Sequence, residues 1–173
     1  MNLKALIRDI PNFPKPGIIF KDITPLFKDA QAITYMLDSL AEPWKGRHID
    51  VVVGAEARGF LIGPGLAERL GAGFVPIRKP GKLPADTLAH SYDLEYGSDT
   101  LEIHQDAIIE NHNVLVVDDL LATGGTAKAC IALVKRLKGN VIGASFIIEL
   151  SFLSGRDQLP PIEIHSLLTY KTD

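Results

Sequence analysis

The stretch that most constrains the fold runs from Val114 to Thr126 and reads Val-Leu-Val-Val-Asp-Asp-Leu-Leu-Ala-Thr-Gly-Gly-Thr. Its first four residues, Val114 to Val117, form a continuous apolar run rich in β-branched side chains, which predicts a strand buried on both faces. Helical periodicity then runs from Ala127 to Leu137. A buried strand, a short loop and a helix in this order predict an α/β fold.

The loop between this strand and this helix has the composition of an anion site. Its residues are small and lead into a helix N-terminus, where free N–H groups and the positive end of the helix dipole favour a phosphate. Two glycines allow close approach of the backbone, and two threonines add hydroxyl donors. The loop consists of Ala122, Thr123, Gly124, Gly125 and Thr126.

Asp118 and Asp119 precede the loop, although a site that held only phosphate would avoid two carboxylates because like charges repel. Sugar hydroxyls donate to carboxylates, and Mg²⁺ would further offset the charge. A ribose 5-phosphate therefore fits, with its phosphate in the loop and its 2- and 3-hydroxyls on the aspartates. The chain has neither the Gly-Lys-Ser/Thr of a P-loop nor a GxGxxG motif, and a tight turn with an Asp cap is the remaining alternative.

Strand and helix patterns alternate along the rest of the chain. Apolar strand patterns lie at 49–54, 73–78, 114–117, 141–148 and 162–168, and helical patterns lie at 3–10, 30–40, 60–70 and 127–137. We expect one α/β domain of residues 1–173, with a Rossmann-like, mostly parallel sheet of about five strands and helices on both faces. Pro76 favours an edge position for the second strand. Residues 84–105 do not continue this alternation of strands and helices. Within them, apolar and polar side chains alternate at 91–97 and 100–104, which predicts a protruding hairpin lid.

The stretch from Val114 to Thr126 resembles the phosphoribosyl diphosphate (PRPP) binding motif of the type I phosphoribosyltransferases. Its residues are similar to those of the adenine phosphoribosyltransferases within the family. The similarity extends from Pro14 to about Arg156 and includes four motifs in the same order. The resemblance implies transfer of the 5-phosphoribosyl group from PRPP to adenine, which gives AMP and diphosphate in purine salvage. It also implies an N-terminal hood at about 1–30, a flexible loop at about 80–105, Mg²⁺ held mainly by the substrate and a homodimer.

The proline-rich segment 11–25 resembles the family's hood over the base. Its prolines restrict the chain, and an arm packed on the core is the alternative reading of its composition. The resemblance implies that Phe20 stacks on adenine and that main-chain groups of Ile19 and Lys21 bind the edge of the base.

Basic residues follow two of the predicted strands. Taken alone, they are typical of solvated surface charges. Their surroundings resemble the family's diphosphate-binding segments, which implies that Arg58, Arg78, Lys79 and Lys82 contact the diphosphate. The loop that contains Arg58 often carries a cis peptide in the family, which would fall at Glu56–Ala57 here.

The motif Leu-Glu-Tyr-Gly in the predicted hairpin resembles the family's catalytic loop. The resemblance implies that Glu95 is the acid/base group for adenine and that Tyr96 closes over the diphosphate. Two alternatives are a phosphoribosyltransferase for another purine, which the hood argues against, and a PRPP-sensing regulator without catalysis, which the Glu-Tyr pair argues against.

Charge and cysteine content narrow the cellular setting. The net charge of −3 gives no indication of a nucleic-acid surface. A single cysteine, Cys130, excludes an internal disulfide and suits a reducing, cytoplasmic compartment. No apolar run suggests a signal peptide or reaches the roughly 20 residues of a membrane span.

Overall fold

A five-stranded parallel sheet is the centre of the computed structural model, which describes residues 1–93 and 98–172. The helices and strands follow the chain in this order: β1 (Arg8–Pro11), β2 (Ile19–Asp22), α1 (Thr24–Phe27), α2 (Ala30–Ala41), β3 (Val51–Ala55), α3 (Gly63–Leu70), β4 (Gly73–Ile77), β5 (Thr87–Asp93), β6 (Ser98–His104), β7 (Asn113–Leu121), α4 (Gly125–Arg136), β8 (Asn140–Leu150) and β9 (Glu163–Tyr170).

The central sheet has the strand order β4–β3–β7–β8–β9, and every neighbouring pair is parallel. This confirms the predicted α/β class and the number of strands. β4 lies at an edge, as Pro76 predicted. β7 is longer than the apolar run 114–117, because its pairing with β8 continues through Leu121 opposite Glu149. Asp118 and Asp119 therefore lie within the strand, not directly after it.

The central strands contain continuous apolar runs, and successive side chains of a strand point to opposite sides of the sheet. Both faces of the sheet are therefore apolar. On one face, Val52 and Leu115 belong to a core with α2 and α3. On the other face, Val53 and Val116 belong to a core with α4. Helices therefore cover both faces, as predicted, and the sheet's strands deliver their loops to one edge.

The N-terminus differs from its prediction. The expected helix at 3–10 is wrong: residues Leu3–Leu6 form a short 3₁₀ turn, and β1 then pairs antiparallel with β2. A helix of eight residues is marginal by itself, whereas the hairpin supplies backbone hydrogen bonds and a side-chain link. In that link, Arg8 donates from Nε and Nη2 to Oδ2 of Asp22, at 3.0 and 2.6 Å.

The predicted hairpin is present as the antiparallel pair β5–β6. The hairpin joins the sheet through a backbone bridge between Glu102 and Arg78, and Arg78 directly follows β4. It also rests on α4, where Arg136 donates to the carbonyl oxygen of Ala89 at 2.5 Å. Within the described ranges, no helix has the length and apolar character needed to cross a membrane.

Candidate functional site

A cavity of about 160 Å³ opens where β7 leads into α4. Its walls are the expected phosphate loop (residues 122–126), the carboxyl end of β7 and one arginine from the loop after β3. The lining residues are Arg58, Asp118, Asp119, Leu120, Leu121, Ala122, Thr123, Gly124, Gly125, Thr126 and Ala127. The structure thus brings the predicted phosphate loop, the acidic pair and one predicted diphosphate ligand into a single site.

The phosphate loop depends on Gly124, which caps the N-terminus of α4 with φ +86°. This left-handed conformation favours glycine. The carbonyl oxygen of Gly124 accepts the first helical hydrogen bond, from the N–H of Lys128 at 2.9 Å. The N–H groups at the start of α4 therefore remain available for an anion.

The two aspartates occupy different environments. Asp119 is 5% exposed, and its Oδ2 accepts a hydrogen bond from Nε of Arg58 at 2.5 Å. Asp118 accepts from the backbone N–H of Asp119 at 2.9 Å. Burial, followed by the charge of Asp119, raises the pKa of Asp118 well above its usual value. The pocket therefore contains two carboxyl groups in different states. Asp119 is paired with a cation, whereas ionisation of Asp118 is disfavoured.

Arg58 also connects this cavity to the hood. Its guanidinium carbon lies 5.5 Å from the ring centroid of Phe20, within cation–π range. Phe20 in turn meets Phe13 edge to face, with ring centroids 5.2 Å apart. The Glu56–Ala57 peptide that precedes Arg58 is cis, at the position that the family resemblance implied. The hood and the phosphate loop therefore face a common centre.

The other two expected base-binding residues flank Phe20 on β2. Ile19 is half-buried, whereas the side chain of Lys21 is buried. Nζ of Lys21 lies 3.0 Å from Oδ1 of Asp9 and 4.7 Å from the ring centroid of Tyr170. The Lys21 side chain thus anchors the hood, which leaves its backbone groups as the part that suits base recognition.

The remaining basic residues lie beyond β4. Arg78 donates from Nε to Glu56 at 2.7 Å and from Nη1 to the carbonyl oxygen of Lys82 at 3.4 Å. Burial is the largest single effect and opposes ionisation of Glu56, but the hydrogen bonds from Arg78 and from the backbone of Lys79, together with the nearby positive charges, lower its pKa. Lys79 forms an ion pair with Asp99 on β6, and Lys82 is exposed. Of these three, none lines the cavity around the phosphate loop.

Sequence reasoning missed two residues that connect the hairpin to the site. The hydroxyl of Tyr92 donates to Oδ2 of Asp99 at 3.2 Å and lies 3.4 Å from Oγ1 of Thr126 in the phosphate loop. The hydrogen bond from Lys79 lowers the pKa of Asp99. No motif marks Tyr92 or Asp99, since only the folded hairpin places them beside the loop. Glu95 and Tyr96 lie outside the described residues.

Comparison with known proteins assigns these features to one family. The model of the phosphoribosyl transferase domain matches residues 21–161. The adenine phosphoribosyltransferase of Acidobacterium capsulatum is 57% identical over 168 residues, which cover 97% of this chain and 93% of that relative.

Solved structures agree with the sequence comparison. A crystal structure of adenine phosphoribosyltransferase from Thermoanaerobacter pseudethanolicus has a TM-score of 0.95 at 55% identity, with 97% of this chain and 98% of that chain covered. The adenine phosphoribosyltransferase of Saccharomyces cerevisiae has a TM-score of 0.91 at 44% identity, with 96% of each chain covered. That yeast structure is a complex with an imino-altritol 1,6-bisphosphate and adenine.

Proposed function

This chain belongs to the adenine phosphoribosyltransferases of the type I phosphoribosyltransferase family, and on that premise we propose how its residues perform the reaction. The reaction transfers the 5-phosphoribosyl group from PRPP to adenine and gives AMP and diphosphate in purine salvage. The observation that carries the assignment of residues is the meeting of the phosphate loop, the acidic pair and Arg58 around one cavity, with Phe20 of the hood beside Arg58.

The ribose 5-phosphate part of PRPP binds at the end of β7. The phosphate accepts hydrogen bonds from the backbone N–H groups of residues 122–126 and from the hydroxyls of Thr123 and Thr126. The 2- and 3-hydroxyls of the ribose donate to Asp118 and Asp119. Support comes from the cavity, which these residues line, and from the glycine-capped start of α4.

The diphosphate binds on the side of Arg58, with Lys79, Arg78, Lys82 and Tyr96 around it. Arg58 and Lys79 each hold a carboxylate in the ligand-free protein, Asp119 and Asp99 respectively. Diphosphate binding therefore exchanges an internal carboxylate for a substrate oxygen at each cation. Such an exchange keeps both cations partnered before and after binding and limits the cost of desolvation.

Adenine binds under the hood, against the ring of Phe20, and main-chain groups of Ile19 and Lys21 bind its edge. Stacking on an aromatic ring tolerates any purine, so these backbone contacts supply the choice of adenine. The contact between Arg58 and Phe20 supports this arrangement, in which the base binds next to the diphosphate that must leave. This proximity suits a direct displacement with inversion at the anomeric carbon.

The chemical step develops positive charge on the ribosyl ring while the diphosphate departs. Asp118 and Asp119 stabilise that positive charge, and Arg58 and Lys79 offset the negative charge of the leaving group. As N9 forms its bond to the anomeric carbon and the bond from that carbon to diphosphate oxygen breaks, Glu95 accepts the imidazole-ring N–H proton that adenine loses.

Mg²⁺ is bound mainly by oxygens of PRPP, and it supplies further charge compensation at the diphosphate. In support, the cavity presents the carboxylates of Asp118 and Asp119, hard oxygen ligands of the kind that Mg²⁺ accepts. The described residues contain no group of three His, Cys, Asp or Glu side chains arranged to hold a metal. We further propose that the protein is a homodimer, as the family resemblance implies. We also propose that it is cytoplasmic, which the single, buried and unpaired Cys130 suits.

The test is release of diphosphate from PRPP and Mg²⁺ with adenine, hypoxanthine and guanine in parallel. We expect turnover with adenine alone. Turnover with an oxopurine would contradict the hood assignment but keep the PRPP site. Tight PRPP binding without turnover on any base would favour a regulator instead.

A further inference from the structure

The turn after β8 packs against the back of the phosphate loop, backbone to backbone. A Cβ atom placed on Gly155 would lie 2.1 Å from the carbonyl oxygen of Ala122 and 2.9 Å from the nitrogen of Gly124. A Cβ atom on Gly124 would lie 2.5 Å from the carbonyl oxygen of Gly155. Both approaches are closer than any side chain permits, so the two loops touch only because each has a glycine at the contact.

A bidentate ion pair fixes the turn that carries Gly155. Arg156 donates to the carboxylate of Glu149 from Nε at 2.9 Å and from Nη2 at 2.6 Å. Its Nη1 donates to the carbonyl oxygen of Ile164 on β9 at 3.1 Å. Glu149 is 5% exposed, and the hydrogen bond from Arg156 lowers its pKa. An arginine whose guanidinium makes a bidentate contact of this kind restricts the position of the turn that carries it.

Glu149 is also close to the phosphate loop in the sheet itself. It pairs in register with Leu121, the last residue of β7 before the loop begins. The loop is therefore supported from two directions: its first residue continues a strand that lies beside Glu149, and its middle rests on Gly155. Glu149 and Gly155 themselves do not line the cavity.

We propose that Gly155, Arg156 and Glu149 form a brace that positions the phosphate loop for the 5-phosphate of the substrate. The brace does not touch the phosphate. It sets the directions of the loop N–H groups, and hydrogen bonds weaken steeply when donors move away from a narrow range of distance and angle. This inference rests on the proposed function, in which the loop binds a ribose 5-phosphate.

The brace predicts a selective loss of affinity for the phosphorylated ligand. In Gly155→Ala the new methyl group must displace Ala122, and in Arg156→Met the turn loses its anchor. We expect each variant to raise the Kd for ribose 5-phosphate roughly tenfold or more, because a displacement of about 1 Å suffices for such losses. The Kd for adenosine, which lacks the phosphate, stays within about twofold of the wild-type value. Titration calorimetry of both ligands measures the two constants.

Two matched variants control for general damage. Gly143 lies in β8, the strand that also contains Glu149, but far from the phosphate loop. The variant Gly143→Ala places a Cβ atom 2.2 Å from Trp44. Arg69→Met removes an arginine that, like Arg156, donates to a carboxylate and a carbonyl, here Asp38 at 2.6 Å and Gly65 at 3.2 Å. Both should leave the Kd of each ligand unchanged at temperatures where the protein is folded.

The conservative variant Arg156→Lys keeps the charge but loses the bidentate contact, so we expect an intermediate Kd for ribose 5-phosphate. It also tests the brace if Arg156→Met does not fold. Equal affinities for ribose 5-phosphate in wild type and variants, or a parallel loss of adenosine affinity, would overturn the brace. A wild-type protein that binds ribose 5-phosphate but turns over no adenine would overturn the proposed function and leave the brace standing.

Discussion

Arg58 donates from Nε to Oδ2 of Asp119 across 2.5 Å, and this contact joins the loop after β3 to the acidic pair of β7. A cation expected to bind diphosphate is thereby held by a carboxylate expected to bind ribose. Under the proposed function, the substrate replaces each of these two partners with one of its own groups. Arg58 also lies over Phe20, so one guanidinium contacts a residue proposed to bind ribose and a residue proposed to bind adenine.

Arg58→Met should lower kcat/KM for PRPP about 100-fold or more, since removing one donor to developing charge costs a factor of 10²–10³. Arg58→Lys should recover only part of this loss because lysine lacks the fork that reaches both Asp119 and the substrate. Steady-state kinetics with varied PRPP measures the effect. The control is Arg47→Met, which removes an arginine stacked on Trp44 at 5.0 Å and paired with Glu163 at 2.7 Å. A similar loss in the control would contradict a specific role for Arg58.

Phe20→Ala should raise KM for adenine about tenfold or more, because base stacking on an aromatic side chain contributes roughly 1–3 kcal/mol. KM for PRPP should change little. Phe13→Ala should have a smaller effect, since Phe13 meets Phe20 edge to face and is itself 51% exposed. Equal effects on the two substrates would show that Phe20 supports the whole site and not the base alone.

Glu95→Gln should lower kcat more than it raises KM, because a proton-transfer group acts in the transition state. We expect a loss of roughly 10²–10⁴ in kcat with the pH profile flattened on the side where the carboxylate titrates. Asp106→Asn, at an exposed carboxylate near the base of the hairpin, is the control. A large loss of substrate binding with kcat intact would remove Glu95 from the chemical step.

The sequence predicted the parts of the site that are local in the chain. The sheet, its helices and the phosphate loop follow from short-range patterns, since a buried strand and a helix start are each specified by a few neighbouring residues. The pairs Arg58–Asp119 and Tyr92–Thr126 were not predicted, because they join segments 61 and 34 residues apart. The helix expected at 3–10 failed for a different reason: so short a segment is marginal as a helix, and its pattern does not show the nearby hairpin in which Pro11 pairs with Ile19.

The stability of the protein should depend on Asp118 in an unusual direction. Burial and the neighbouring charge of Asp119 raise the pKa of Asp118 in the folded state above the usual 3.8. A carboxyl whose pKa is raised on folding favours the folded state while it is protonated in both states. That contribution is lost as the pH rises through the folded pKa. At neutral pH Asp118 therefore costs folding free energy.

Asp118→Asn should consequently raise the melting temperature at about pH 7 by roughly 2–4 °C, the change that a gain of about 1 kcal/mol produces in a domain of this size. The gain should shrink towards zero as the pH falls below 3.8, the usual pKa, because the wild-type carboxyl then becomes neutral in both states. Calorimetric melting of both proteins across this range measures the difference. Asp119→Asn is the control and should not stabilise, because it weakens the hydrogen bond from Arg58. A variant that melts lower than wild type at neutral pH would show that Asp118 is stabilised in its ionised form. A variant that melts higher and loses turnover would show that the site keeps a destabilising carboxylate because the reaction requires it.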